Sequence, residues 1–368
     1  MNVLIALPDN SLGGAEQYLK MVAEYYAKKG AQVYLFFLKD SFINSWKDLN
    51  SYDNINTTIY TSKTNIKSII DFGFDLRKLK KYEFDFIYTS HVKITGVLGL
   101  FIKWGLLRKK KFIARESTLI FKRYSGIKLL IYKNYYNLGY SKVDSLICQT
   151  QIMRDELLKF YPSFSKKVVV LNNPIDFSII SNLEKERISI GYDYIVAAGR
   201  LIKEKGFDIL IRAFSELKKD NEYANLKLLI LGEGNQRIFL KELIASLNLS
   251  REVILQGLVL NVYPYFKNAK ACVVSSRVEG FPNVLLQMMS QNNKVVSTNC
   301  AGGINDIPNI VVCNVNDEND LFKALSFVLK NDSNKNRAIF DEFLKKRSIE
   351  KFVESIENNT LVKDSYGR

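Results

Sequence analysis

The sequence predicts an α/β protein made of two doubly wound parallel-sheet (Rossmann-like) domains. Three observations carry that prediction. The chain has 368 residues, a natural length for two domains, and its 47% hydrophobic content is enough for two cores. Its opening reads strand, loop, helix, strand, a unit that builds a parallel sheet through a right-handed crossover. From residue 194 the same order begins again, with a strand at 194–198, a polar loop, and a helix carrying Leu210, Ile211, Ala213, Phe214 and Leu217.

Residues 2–7 form an apolar run that ends at Pro8, Asp9 and Asn10, a strand entering a loop. Gly13, Gly14, Ala15 and Glu16 then open a helix, with Tyr18, Leu19, Val22, Ala23 and Tyr26 at helical spacing. Gly30 closes it, and 33–38 is the next strand. The Gly13–Gly14 pair lets backbone approach a ligand closely, although a plain tight turn has the same composition. It is not Gly-x-Gly-x-x-Gly, so a nicotinamide cofactor is poorly supported.

A strand at 85–89 delivers Ser90 and His91 to a loop before the apolar helix 94–104. His91 is the only histidine. A lone histidine is ordinarily a surface or internally satisfied group, but ligands of open α/β sheets bind at the carboxyl ends of strands, where this one sits. The strand at 111–114 runs into Arg115, Glu116 and Ser117, a second polar cluster at a strand end and a candidate for acceptor contact. Strands at 145–149 and 167–171 finish the first domain, and the polar run 181–187 reads as the linker.

In the second domain, Arg200 and Lys205 sit at the junction of strand 194–198 with its helix, where two cations suit a phosphate clamp. A strand at 226–231 ends in Gly232, Glu233 and Gly234, and one at 253–257 ends at Gly257 and Leu258. The β-branched run 271–275 is a buried strand, and 284–289 is an apolar helical stretch without a breaker. Glu279, Gly280, Phe281, Pro282 and Asn283 therefore lie between a strand's carboxyl end and a helix's amino end. Pro282 fits the first helical turn, whose unpaired N–H groups attract anions or sugar oxygens. A carboxylate at that mouth, Glu279, accepts hydrogen bonds from a polyhydroxylated ligand, and Gln287 follows roughly two turns along. The competing reading of Glu279 is a helix-capping glutamate. Helices at 321–329 and 349–362 end the chain.

The net charge of +15 is uneven: residues 1–180 hold 27 Lys and Arg against 15 Asp and Glu, and the rest hold 26 against 23. Such a field favours nucleic acid, anionic lipid or diphosphate ligands. Residues 103–142 hold eleven Lys and Arg and one acid, Glu116, interleaved with aromatic and aliphatic side chains. This suits peripheral contact with a membrane surface. A solvated basic face over ordinary core helices is the competing reading, and no nucleic-acid-binding motif supports a third. Cys148, Cys272, Cys300 and Cys313 show no paired or metal-like spacing and read as reduced, hence cytoplasmic. No signal peptide and no stretch of roughly 18 apolar residues is expected.

Taken together, the stretch from Glu279 resembles the signature of the family 4 retaining glycosyltransferases: a Glu, seven residues, then a second Glu, in the Glu-Gly-Phe-Pro-Asn form of bacterial surface-polysaccharide enzymes. The chain departs at the second position, Gln287. The segment from Gly199 through Asp208 is also similar to that family. The resemblance implies the GT-B fold, two such domains facing across a cleft. It implies an acceptor domain at 1–178, joined by a terminal helix 349–368, and a nucleotide-sugar domain at 190–348. Glu279 would bind the donor sugar with Gly280, Phe281, Pro282, Asn283 and Val284, and Gln287 the ribose. Arg200 and Lys205 would hold the diphosphate, and backbone at Gly257 and Leu258 the base. Gly13 and Gly14 would face the phosphates, His91 the sugar near its reacting carbon, and Arg115 and Glu116 the acceptor.

The implied function is retaining transfer, without metal or cofactor, from a nucleotide sugar, with uridine the expected base. The acceptor would be a lipid-linked oligosaccharide at the inner face of the cell membrane, in O-antigen or capsule synthesis. The rival readings are a nucleotide-sugar epimerase on the same fold and a catalytically silent membrane- or polyanion-binding protein.

Overall fold

The structure is a computed structural model that describes residues 1–11, 13–41, 45–62 and 64–358. It divides into two units, 1–174 with 349–368, and 175–348. The first contains β1 (Asn2–Leu7), α1 (Gly14–Lys28), β2 (Gln32–Phe37), β3 (Ile55–Ile59), α2 (Asn65–Lys78), β4 (Glu83–Thr89) and α3 (Val92–Lys103). It continues through β5 (Arg108–Arg115), α4 (Ile120–Arg123), α5 (Gly126–Gly139), β6 (Ser145–Cys148), α6 (Gln151–Phe160) and β7 (Val168–Val170). Its sheet is parallel, in the order β3-β2-β1-β4-β5-β6-β7.

The alternation along β1 shows how this sheet is buried. Leu4 and Ala6 enter one core with side chains of α2, α3, α5 and α6. Val3, Ile5 and Leu7 enter the other, with α1. A parallel sheet covered on both faces needs continuous apolar strands, and β1 supplies one.

The second unit contains α7 (Phe177–Leu183), β8 (Tyr194–Ala198), α8 (Phe207–Leu217), β9 (Lys227–Leu231), α9 (Arg237–Ser246), β10 (Val253–Gly257) and α10 (Tyr263–Asn268). It ends with β11 (Ala271–Val274), α11 (Asn283–Gln291), β12 (Val295–Thr298), β13 (Val311–Cys313), α12 (Glu318–Lys330) and α13 (Asn336–Lys345). The parallel sheet runs β10-β9-β8-β11-β12-β13, again between two cores.

The expected linker 181–187 is not one. It begins inside α7, which Asp176 caps by accepting from the Ser178 and Ile179 amides at 2.8 and 3.1 Å. Ile175 and Ile180 are buried in the second unit's core, and the Ile175 amide donates to the Arg347 carbonyl at 2.8 Å, so this stretch belongs with that unit.

The chain ends with α14 (Ile349–Glu357), which packs on α1 and buries Ile349, Phe352, Val353 and Ile356 in the first unit's core. The rest of the expected terminal segment, 359–368, lies outside the described residues. All four cysteines are buried free thiols. Among the described residues, no helix is long and apolar enough to cross a membrane.

Candidate active site

Each sheet has a place where strand order reverses, between β1 and β4 in the first unit and between β8 and β11 in the second. The loops leaving such neighbouring strands diverge, and the crevice between them is where α/β sheets bind ligands. All the loops with candidate residues in the second unit leave β8, β10 or β11, or the start of α11.

The loop after β8 is locked to the loop after β11. The Arg277 guanidinium makes a bidentate pair with Asp208 at 2.7 and 2.8 Å and donates to the Lys203 carbonyl at 2.7 Å. Burial alone would push the Asp208 carboxyl up, but Arg277 outweighs it and holds the group below its ordinary value. The Arg277 amide donates to the Glu204 carbonyl at 2.7 Å, and the Ser275 hydroxyl to the Lys205 carbonyl at 2.9 Å. Gly206 makes this approach possible: its φ is 62°, and a Cβ there would lie 2.1 Å from the Ser275 carbonyl oxygen. Neither Arg277 nor Asp208 was singled out from sequence; their separation along the chain hides the pair.

On this platform Lys205 Nζ reaches Glu279 Oε1 at 2.5 Å, and the Ser276 hydroxyl donates to the same oxygen at 2.9 Å. Glu279 is fixed from behind by its own amide, which donates to the Cys300 carbonyl at 2.9 Å. It makes no cap to α11, whose N-cap is Pro282, one position before the first turn expected for that proline. Arg200 is exposed, and its guanidinium has no hydrogen-bond or ion-pair partner among the described residues. Gln287 donates to the Tyr263 hydroxyl at 3.4 Å.

Phe281 and Gly257, both expected at the donor, also have packing or hydrogen-bond partners within the second unit. Phe281 is buried in the core with Ile175 and Leu285, under the Arg347 guanidinium at 5.5 Å. Gly257 has its carbonyl taken by the Gly232 amide at 2.7 Å, while Leu258 is 57% exposed. Gly280 and Pro282 are buried, and Asn283 and Val284 are half-buried at the start of α11.

In the first unit, Gly13 is the N-cap of α1 and Gly14 its first residue. The Gly13 amide donates to Glu16 Oε2 at 3.0 Å, and His91 Nε2 donates to Glu16 Oε1 at 3.0 Å. Burial would raise the Glu16 carboxyl, but the bond from His91 and the amides of the loop hold it below its ordinary value. Sequence reading took Glu16 only as a helix-opening residue.

Arg115 and Glu116 differ from expectation, because both are interior, 3% and 4% exposed. Arg115 is the last residue of β5. It donates to Asn173 Oδ1 at 2.5 Å and to the Ser90 hydroxyl at 3.3 Å, and its guanidinium lies 4.7 Å from the Tyr18 ring centre. Burial lowers its pKa to about 10. Glu116 accepts from the Tyr136 and Tyr140 hydroxyls at 2.7 and 3.2 Å, and burial raises its carboxyl to about 7 against the lowering effect of those bonds. A strand buried on both faces turns its terminal side chains inward until the chain has cleared the covering helices.

Two parallel-sheet units, each with its own switch point, make up the two-domain α/β architecture of the GT-B fold. The comparisons agree. Residues 12–179 match the model described as Glycosyltransferase Family 4, and residues 179–347 match Glycosyl transferases group 1. The chain belongs to the family 4 glycosyltransferases.

Among its relatives is the N-acetylgalactosamine-N,N'-diacetylbacillosaminyl-diphospho-undecaprenol 4-alpha-N-acetylgalactosaminyltransferase of Campylobacter jejuni. It is 28% identical over 69% of this chain and 74% of its own. Another from that organism, a GalNAc-alpha-(1->4)-GalNAc-alpha-(1->3)-diNAcBac-PP-undecaprenol alpha-1,4-N-acetyl-D-galactosaminyltransferase, is 26% identical over 91% of this chain and 90% of its own. The crystal structure of Anabaena HepE in complex with UDP-glucose shares the fold, with TM-score 0.78 and 17% identity over 98% of this chain and 99% of that one.

Proposed function

We propose that this glycosyltransferase moves a sugar from a uridine diphosphate donor to a lipid-linked oligosaccharide, with retention of anomeric configuration and without a divalent metal, in the synthesis of a bacterial surface polysaccharide. One observation carries the reading. At the switch point of the second sheet, an unpartnered, exposed Arg200 shares a loop with Lys205, and Lys205 holds Glu279. A diphosphate arriving there gains two cations and offers Lys205 a second anion. Glu279 is then released to accept hydrogen bonds from sugar hydroxyls. As the bond from the anomeric carbon to the phosphate oxygen breaks, negative charge grows on the diphosphate, where Arg200 and Lys205 stabilise it. The acceptor oxygen bonds to the same face of that carbon, and its proton passes to the departing phosphate oxygen, so no protein base is assigned.

The chemistry named for the relatives supports the partners. Both Campylobacter enzymes are named for acceptors on diphospho-undecaprenol, and the Anabaena structure carries UDP-glucose. Peripheral membrane contact through 103–142, at the inner face, has a specific candidate in α5. Ile127, Leu130, Ile131 and Leu138 are 78, 59, 42 and 45% exposed, at the spacing of one helical face, with Lys122, Arg123 and Lys128 exposed nearby. Most aromatic side chains of that region are spent otherwise: Phe112, Tyr136 and Tyr140 are core residues, and Phe121, Tyr124, Tyr132 and Tyr135 pack against that core.

The test is transfer itself. The protein is incubated with a UDP-sugar and a polyprenyl-diphosphate saccharide in anionic vesicles, and the product linkage is read by NMR. An α-linked product from an α-donor, formed only with acceptor present, is expected. Conversion of the nucleotide sugar without acceptor would favour the epimerase instead, and vesicle binding without any turnover the silent binding protein.

A further inference from the structure

We propose that Glu16 is the positioning residue of the first unit's switch-point crevice: it holds the His91 ring with Nε2 protonated, so that Nδ1 is left as a hydrogen-bond acceptor for a donor-sugar hydroxyl. The role of Nδ1 rests on the reading of His91 as a sugar contact; the hold on the ring does not.

The geometry begins with strand order. β1 and β4 are neighbours, with Ile5 opposite Tyr88, so the loops that follow them leave side by side at the switch point. Glu16 stands in the first turn of the helix after β1, and His91 is the N-cap of the helix after β4. The carboxylate spans the two: one oxygen takes the Gly13 amide and the other takes His91 Nε2, each at 3.0 Å. Closing the glycine turn needs only the first of these bonds. The second is unexplained by capping, and it reaches the loop that follows a different strand.

Both ends are anchored. The His91 carbonyl accepts from the Thr95 amide at 2.9 Å and its hydroxyl at 3.0 Å, which fixes the base of the side chain at the start of α3. The Glu16 carboxylate packs directly on Gly13, where a Cβ would lie 2.6 Å from Oε2 and displace it. His91 Nδ1 has no hydrogen-bond partner among the described residues, although solvent does not reach it. A neutral imidazole carries one N–H and one lone pair. With the N–H committed to Glu16, the lone pair falls on Nδ1.

Charge adds a reason for a carboxylate rather than an amide. The Arg115 guanidinium is buried, has no carboxylate among its direct partners in the described residues, and lies in the field of Glu16. An ionised acid accepts at both oxygens, whereas an amide has one acceptor oxygen and would turn an N–H donor toward either Gly13 or His91.

The experiment uses the fact that His91 is the chain's only histidine. Protein labelled with 15N-histidine gives one imidazole, whose two nitrogen shifts report the tautomer. The wild type, without substrate, is expected to show protonated Nε2 and unprotonated Nδ1 when neutral, and Glu16→Gln to show a mixture of the two forms. A wild type in the Nδ1–H form, or a Glu16→Gln variant with unchanged shifts, would overturn the proposal.

Kinetics give a second, independent arm. Glu16→Gln is expected to lower kcat at least tenfold with a smaller change in donor KM, and to lower it less than twofold when His91 is already alanine. An undiminished loss in the His91→Ala background would mean that Glu16 acts without His91. Failure of the transferase reading shows as no turnover in the wild type, which leaves the tautomer measurement standing.

Discussion

Arg200 is a side chain whose removal separates binding from folding. It is exposed and unpartnered, so Arg200→Ala leaves thermal stability within about 0.5 kcal/mol of wild type. If it holds a diphosphate, its loss removes hydrogen bonds to a charged group worth about 1.5–3 kcal/mol, or roughly a tenfold to hundredfold weaker Kd. Melting curves with and without nucleotide check both halves.

Glu116 behaves in the opposite way. Its carboxyl is raised by burial to about 7, so the neutral form belongs to the folded state. Its contribution is fully present below the unfolded value near 4.5 and is lost as pH rises through about 7. The window from about 4.5 to about 7 corresponds to on the order of 3 kcal/mol. Glu116→Gln is expected to flatten the fall in stability between pH 5 and 7.5. A variant whose unfolding free energy tracks wild type across that window would show that Glu116 titrates normally.

At the scale of elements, the crossing of α3 over α5 depends on glycine. A Cβ on Gly99 would lie 2.1 Å from the Gly139 carbonyl oxygen, and one on Gly139 would lie 2.1 Å from the Gly96 carbonyl oxygen. Backbone cannot yield as a flexible side chain does, so Gly99→Ala is expected to cost about 1–3 kcal/mol, and denaturant unfolding measures it.

The same crossing shows what the sequence could and could not convey. The apolar character of α3 was readable, and so were β1, β4, β8 and β11 as apolar runs. The second unit's site was largely legible because its parts lie in two short segments of fixed local spacing, 199–208 and 275–287. Arg200, Lys205 and Glu279 could be read there, but the Arg277–Asp208 lock, 69 positions apart, could not. In the first unit legibility fell further. The clamp from Glu16 to His91 joins two strands that are neighbours only through the sheet's order. The burial of Arg115 and Glu116 depends on α1 and α5 covering the ends of β5 and its loop, which no local pattern encodes. Arg108, Lys109 and Lys110, within the basic region 103–142, open β5, with Arg108 and Lys110 exposed and Lys109 half-buried beside Asp144.

For the whole molecule, the charge asymmetry and the apolar face of α5 combine into one expectation. Binding to anionic vesicles should weaken with added salt, because the electrostatic part is screened over about 10 Å at 0.1 M. It should weaken further in an Ile127→Asp, Ile131→Asp variant, whose melting temperature stays near wild type because both side chains are already exposed. Flotation in a density gradient reads both effects, and vesicle binding unchanged in the variant would remove α5 from the interface.

The central claim is that the second unit holds the diphosphate of a nucleotide sugar through Arg200 and Lys205. Isothermal titration with UDP, GDP and ADP, on wild type and on Arg200→Ala, tests it most directly. The account predicts saturable binding of UDP in preference to the other two, weakened at least tenfold in the variant. Heat with none of the three, or an affinity the variant leaves unchanged, would contradict it.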